Sequence, residues 1–349
     1  MPTLLRRLLT LGLPLLLSGC NTIVLNAPGD IARQQGDLII VATVLMLLVI
    51  VPVIALIFLF AWRYRASNTK AVYQPDWDHS TQLELVIWAA PLLIIIALGA
   101  VTWISTHLLD PYRPVSRIAP GRPLPEDVRP LEVQVVALDW KWLFLYPEQG
   151  IATVNELAAP IDRPINFKLT GTTVMNAFYV PALAGMIYTM PGMETRLHAV
   201  IDQPGTYEGF SANYSGAGFS HMRFKFHALD EAGFARWAQS VRDDGKALDR
   251  DHYLALEKPS TREPVQHFAS VASGLFDAIL NRCVDPDRMC MSEMMAIDAS
   301  GGYGLDDNGI LSLRPPSRGD LRGRPYVSAD LCRVDPSPLP FWNLESGAP

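Results

Sequence analysis

Two long stretches without a single Asp, Glu, Lys or Arg constrain this chain more than anything else in it: Leu38–Ala61 and Leu85–Leu109. Each is long enough to cross the ~30 Å hydrocarbon core of a bilayer as a helix, which predicts helices over about 38–62 and 84–109. Pro52 and Pro91 fall inside the runs. Membrane helices tolerate this because neighbours and local adjustments satisfy the freed carbonyls. Trp62 and Tyr64 stand where the first run meets water, and Arg63, Arg65 and Lys70 follow at once. Basic residues favour the cytoplasmic side, so the loop between the runs is cytoplasmic and both ends of the hairpin, residues 20–110, face outward. The runs also account for much of a hydrophobic fraction of 49%, high for a water-soluble protein. A net charge of −6 argues against a nucleic-acid partner.

Residues 1–19 read as a cleavable signal segment. Arg6 and Arg7 open it, Leu8–Leu17 is its apolar run, and small residues follow. Leu17-Ser-Gly-Cys20 resembles the lipobox of bacterial lipoproteins. The resemblance implies that Cys20 is lipidated, becomes the mature N-terminus, and anchors it in membrane lipid on the outer face of the inner membrane.

Beyond the hairpin the period of the pattern changes. Six prolines between Pro111 and Pro130 make residues 111–130 a stiff linker. Over 131–230 apolar residues then alternate with polar ones, as in Leu131, Val133, Val135 and Ala137, or Ile165, Phe167 and Leu169. Trp140, Trp142, Phe144 and Tyr146 form an alternating aromatic row, and Met222, Phe224 and Phe226 line one face of a late strand. Short strands with Pro and Gly turns predict a Greek-key β-sandwich. After Asp230, a candidate cap, the pattern is helical: Phe234, Trp237, Ala238 and Val241 share a face. A second helix is predicted from about Pro264 to Leu280, on a stripe of Phe268, Val271, Leu275, Phe276 and Ile279, making 231–282 a helical extension. From Cys283 to the end, 283–349, little periodicity remains and a loosely ordered tail is expected. The fold class is therefore a membrane-anchored all-β protein: a transmembrane hairpin, a sandwich and C-terminal helices.

Two membrane helices ahead of an outward sandwich resemble subunit II of the haem–copper respiratory oxidases, whose sandwich is of cupredoxin type. Three stretches carry the likeness: His79-Ser-Thr-Gln-Leu-Glu84 with Val86-Ile-Trp88 and Pro91, then Asp139-Trp-Lys-Trp142, and Ser211–Met222. In the branch that oxidises cytochrome c, the last stretch reads Cys-x-Glu-x-Cys-x-x-x-His-x-x-Met and joins an upstream His to hold two coppers. Soft thiolates and imidazoles suit such a pair. Here Ser211 and Ser215 stand at the cysteine positions, Asn213 at the carboxylate, Phe219 at the histidine and Asn176 at the upstream histidine; Met222 alone remains. His221 is a poor substitute, because on a strand it alternates with Met222 and points to the opposite face. The aromatics Trp140 and Trp142 read as packing residues.

A matched loss of every thiolate and imidazole ligand resembles the quinol-oxidising branch, subunit II of cytochrome bo-type ubiquinol oxidase. That likeness implies a subunit without a redox centre in a quinol:oxygen oxidoreductase that pumps protons. Haems and copper are expected in partner subunit I, further small membrane subunits beside it, ubiquinol as the substrate of the complex, and no cofactor or catalytic residue in this chain. It further implies that Glu84 lies at the mouth of a proton channel into subunit I; the residue pattern alone equally allows a solvated helix-capping glutamate. Two other readings stand beside this one: a membrane-anchored cupredoxin-like binding lipoprotein without an oxidase partner, and a copper-bearing cytochrome c oxidase subunit. Of the three cysteines in the tail, Cys283 and Cys290 close the shortest loop and are the preferred disulfide, leaving Cys332. No histidine follows Cys283, which disfavours a metal site there.

Overall fold

The computed structural model describes residues 22–299, apart from 73 and 126. Cys20, the signal segment, Cys332 and the tail beyond 299 lie outside the described residues. The chain divides into two units, one reaching to Ser273 and the other starting at Gly274.

Helices α1 (Asp30–Arg63) and α2 (Thr81–Leu108) form the hairpin. Both are long and apolar enough to cross a membrane, and their side chains are largely exposed, Phe58 at 70% and Trp88 at 78%. The first helix starts eight residues before the apolar run that predicted it. Its opening two turns carry Asp30, Arg33 and Asp37, so hydropathy does not register them, yet no proline interrupts Asp30–Asp37 and the single Gly36 costs a helix only about 1 kcal/mol.

Those two turns fasten the hairpin to the sandwich. Asp30 is buried at 1% exposure. Arg117 Nε donates to both of its carboxylate oxygens at 3.1 and 2.9 Å, and Gln34 Nε2 donates to Oδ2 at 2.7 Å. One turn on, Arg33 Nη2 lies 3.1 Å from both oxygens of Asp202. The backbone joins in, with Gly29 N donating to Ala182 O at 2.8 Å. A Cβ at residue 29 would sit 2.2 Å from Leu183 O, so only glycine allows the approach. An Asp30→Ala variant strands Arg117 and Gln34 and is expected to cost about 2–3 kcal/mol. Thermal unfolding of the complete chain in detergent checks this, and a shift within error would mean the latch contributes nothing.

The sandwich has a seven-stranded sheet in the order β10-β7-β3-β4-β5-β14-β13 and a five-stranded sheet in the order β6-β12-β11-β8-β9. Their ranges are β3 (Leu131–Leu138), β4 (Lys141–Tyr146), β5 (Ile151–Val154), β6 (Glu156–Pro160), β7 (Ile165–Gly171), β8 (Asn176–Tyr179), β9 (Ile187–Thr189), β10 (Thr195–Ala199), β11 (Gly205–Ser211), β12 (Arg223–Leu229), β13 (Lys246–Leu248) and β14 (Gln266–Val271). A short ribbon, β1 (Arg117–Ala119) with β2 (Arg122–Pro123), precedes them and supplies the arginine of the latch. The period-two residues meet between the sheets: Leu131, Val133, Val135, Trp142, Phe144, Tyr146, Phe167 and Phe226 are all fully buried. Trp142 meets Phe178 and Phe224 edge-on, with centroids 5.4 and 5.9 Å away, and those two phenyls stack at 5.4 Å.

Trp140 does not belong to that row. Leu138 pairs with Lys141, so Asp139 and Trp140 form a two-residue hairpin turn in which Trp140 takes φ 63°.

Past the sandwich, α3 (Glu231–Asp244) has the predicted apolar face and cap, with Gly233 N donating to Asp230 Oδ1 at 2.8 Å. The next elements are β13, α4 (Arg250–Glu257) and β14. The helix predicted from about Pro264 is thus corrected: Gln266–Val271 is a strand pairing with β5 and β13. Phe268 and Val271 are spaced like helix neighbours, but β5 offers an open row of backbone donors and acceptors, and local spacing cannot register that. Only α5 (Leu275–Leu280) of the predicted helix is helical. In this second unit Cys283 and Cys290 form a disulfide, and α6 (Met291–Ala299) follows where a loose tail was expected.

Candidate functional site

The stretch that carries the degenerate copper-ligand positions closes one end of the sandwich. β11 ends at Ser211, a loop covers 212–218, a single 3-10 turn spans Phe219–His221, and β12 begins at Arg223. β8 pairs with β11, with Phe178 opposite Ser211, and this places Asn176 beside Ser211. The two are buried, at 1% and 3% exposure. Ser211 Oγ lies 3.2 Å from Asn176 Oδ1 and 3.2 Å from the Asn213 carbonyl, to either of which it can donate. The Asn176 amide donates to Val174 O at 3.2 Å, and that of Asn213 to Met175 O at 3.0 Å. Ser211 N donates to Met222 O at 3.1 Å, and the Met222 side chain is fully buried.

The remaining positions diverge. Phe219 packs edge-on against Tyr214 at 5.6 Å. Ser215 Oγ is buried without a hydrogen-bond partner, while the Ser215 carbonyl accepts from Trp140 Nε1 at 2.9 Å. The strand expected to carry His221 begins only at Arg223, so His221 lies in the 3-10 turn, where its Nε2 accepts from Arg262 Nε at 3.3 Å. The structure therefore gathers Asn176, Ser211, Asn213 and Met222, and joins the first three through hydroxyl, amide and carbonyl groups. A copper pair asks for thiolates and imidazoles. One thioether among neutral oxygens and amides does not fit it. Among the described residues no group of three or more His, Cys, Asp and Glu side chains is arranged to hold a metal ion.

Glu84 lies in the first turn of α2, far along the sequence from this loop. Its Oε1 is 2.7 Å from His79 Nδ1, and His79 Nε2 is 3.1 Å from Thr81 Oγ1. Both side chains are more than half exposed. The His79 contact went unread because it lies in the connection before the helix, where no periodicity says which way a side chain turns. Lys141 was also missed. It is 1% exposed, and its ammonium donates to Lys258 O at 2.7 Å and Ser260 Oγ at 2.6 Å. Burial pushes its pKa down, partly offset by the carboxylates of Glu263 and Asp139.

Known proteins place these features. Residues 132–229 match the family "Cytochrome C oxidase subunit II, periplasmic domain", and residues 242–287 match the "COX Aromatic Rich Motif". The first match makes the sandwich one of cupredoxin type and, with two apolar helices ahead of it, the chain a membrane-anchored protein. The "Cytochrome bo(3) ubiquinol oxidase subunit 2" of Pseudomonas putida is 50% identical over 268 residues, 77% of this chain and 82% of that protein. The "Ubiquinol oxidase subunit 2" of Acetobacter aceti is 47% identical over 266 residues, 76% of this chain and 84% of that one. The "Quinol oxidase subunit 2" of Bacillus anthracis is 40% identical over 255 residues, covering 72% and 84%. At such identity over such a share of each relative, the chain belongs to the family of quinol oxidase subunit 2, within the haem–copper oxidases.

Proposed function

We propose that this chain is subunit II of a proton-translocating quinol:oxygen oxidoreductase in the bacterial inner membrane, working beside a subunit I that carries the haems and the copper. The observation that carries the reading is the closure of the loop: the Ser211 hydroxyl and the Asn176 amide stand hydrogen-bonded where a copper pair would need soft ligands. Quinol is lipid-soluble and gives up its electrons from within the bilayer, so a relay outside the membrane is unnecessary. This chain then contributes position and protons rather than electrons. The sandwich presents exposed apolar side chains, Met175 and Tyr214 at the loop and Tyr188 and Met193 elsewhere on it, as a surface for subunit I. The small membrane subunits pack on the exposed hairpin, and a lipidated Cys20 holds the N-terminus at the outer face. At the cytoplasmic end, Glu84 takes up protons for subunit I while His79 orients its carboxylate.

A visible spectrum, a metal inventory and oxygen-uptake assays on material purified through a tag on this chain provide the test. A haem-containing partner is expected to co-purify, with oxygen uptake supported by quinol and not by reduced cytochrome c. The full chain produced without partners is expected to bind no copper. About two equivalents of copper per isolated chain, the content of a mixed-valence pair, would overturn the reading; a chain that purifies alone from its native membrane would favour the binding lipoprotein.

A further inference from the structure

Residues 258–263 run from the end of α4 to the strand β14 and form no regular element. They are nonetheless tied down at several points. The Lys258 carbonyl and Ser260 Oγ accept from the buried Lys141 ammonium. Ser260 Oγ donates to Glu263 Oε2 at 2.5 Å, Gln266 Nε2 donates to Glu263 Oε1 at 2.7 Å, and the Glu263 carbonyl accepts from Asn155 Nδ2 at 2.9 Å. Between these anchors the segment leans on the loop 212–221. Thr261 Cγ2 lies 2.7 Å from where a Cβ on Gly218 would be, and the Trp140 ring is 2.4 Å from that point. Arg262, at φ 56°, donates to His221. From the inner side Trp140 donates to the Ser215 carbonyl and packs against Gly216. The loop is thus gripped by the indole and the strap together.

The loop's own side-chain contacts are few, chiefly Tyr214 with Phe219 and Ser211 with the Asn213 carbonyl, and its donor set does not fit a metal that would cross-link its two ends. Something else has to fix its shape. We propose that the strap 258–263 is the clamp that does so, with Lys141 and Arg262 as positioning residues, and that it thereby keeps the surface around Tyr214 in the form that docks on subunit I. The second half of this statement rests on the proposed function. The first does not. Lys141 is the keystone because the dependence is mutual. Without the strap, a buried ammonium loses two of its acceptors; without the ammonium, Lys258 O and Ser260 Oγ lose a charged donor.

Hydrogen–deuterium exchange on the full-length chain, alone and in its complex, tests the clamp with Lys141→Met, Ser260→Ala and Arg262→Ala. Exchange of peptides covering 212–221 is expected to rise about tenfold or more in Lys141→Met, and less in the other two, while the core strands β3 and β4 keep their protection. Recovery of the haem-containing partner is expected to fall in the same order. If Lys141→Met fails to fold, Ser260→Ala carries the test, since it removes a single hydroxyl. Unchanged loop exchange in folded variants overturns the clamp. A loosened loop with full recovery of the partner overturns its link to docking. A wild-type chain that brings down no haem protein overturns the proposed function instead and leaves the exchange result standing.

Discussion

On the proposed role of Glu84 in proton entry, replacing it by glutamine is expected to lower quinol-driven oxygen uptake of the assembled oxidase by about tenfold or more, since a positioned proton-transfer group contributes roughly 10²–10⁴ in rate. The substitution has to be glutamine as well as alanine. A carboxylate in the first turn of a helix is favoured by the helix dipole, by about 0.3–1 kcal/mol, and alanine removes that benefit along with the ionisable group. Glutamine keeps the length and the ability to accept from His79, yet cannot carry a proton at neutral pH. A role confined to capping would shift thermal stability slightly in both variants and leave turnover alone. A role in proton uptake lowers turnover in both. His79→Ala is expected to act in the same direction with a smaller effect, because solvent remains in contact with a half-exposed carboxylate. Steady-state oxygen uptake and proton ejection from proteoliposomes read the outcome. Full turnover with full pumping in an assembled Glu84→Gln complex would remove Glu84 from the proton path.

A Trp142→Ala variant is expected to lose about 3–5 kcal/mol, the range for emptying a large aromatic site in a core, and to lower the apparent Tm by roughly 10 °C. The side chain is fully buried and touches two phenyl rings that also stack on each other, so removing it loosens three aromatic contacts at once. The comparison with Trp142→Phe isolates packing. The indole nitrogen of Trp142 has no hydrogen-bond partner, so phenylalanine forfeits no hydrogen bond and is expected to cost about 1–2 kcal/mol, mostly through lost volume. Circular dichroism melts of the complete chain order the two variants. Equal losses would show that the ring is not acting through its bulk. Haem content and quinol turnover of folded Trp142→Phe should be unchanged, as expected of a packing residue.

The parts of this molecule visible from sequence are those whose cause is local. Uncharged runs announce the hairpin, alternation announces β3, β4 and β7, and Asp230 announces the start of α3 because a cap and its helix are neighbours. The loop was legible for a related reason: its spacing survives even though its ligand chemistry does not. What stayed hidden depends on partners far away in the chain. Asp30 meets Arg117 across 87 residues and Lys141 meets Lys258 across 117, and no window of sequence contains both members of either pair. The strand β14 was misread because Phe268 and Val271 satisfy a helical stripe, and only the free edge of β5 overrules it. Trp140 was counted into the aromatic row because alternation cannot sense a turn that reverses the chain through a positive φ.

The length of α1 has a mechanical consequence. At 34 residues the helix extends about 50 Å, some 20 Å more than the hydrocarbon it has to cross. The surplus is a rigid axle, and Asp30 and Arg33 are where the sandwich is bolted to it. Each residue of an α-helix advances about 1.5 Å and turns about 100°. The number of residues between the latch and the first apolar turn therefore sets both the height of the sandwich above the bilayer and the compass direction it faces. One residue more or less would swing the loop at 212–221 through more than a quarter turn, away from any neighbour it meets. The register of a few polar residues ahead of the apolar run thus acts as the alignment gauge for the whole outer domain.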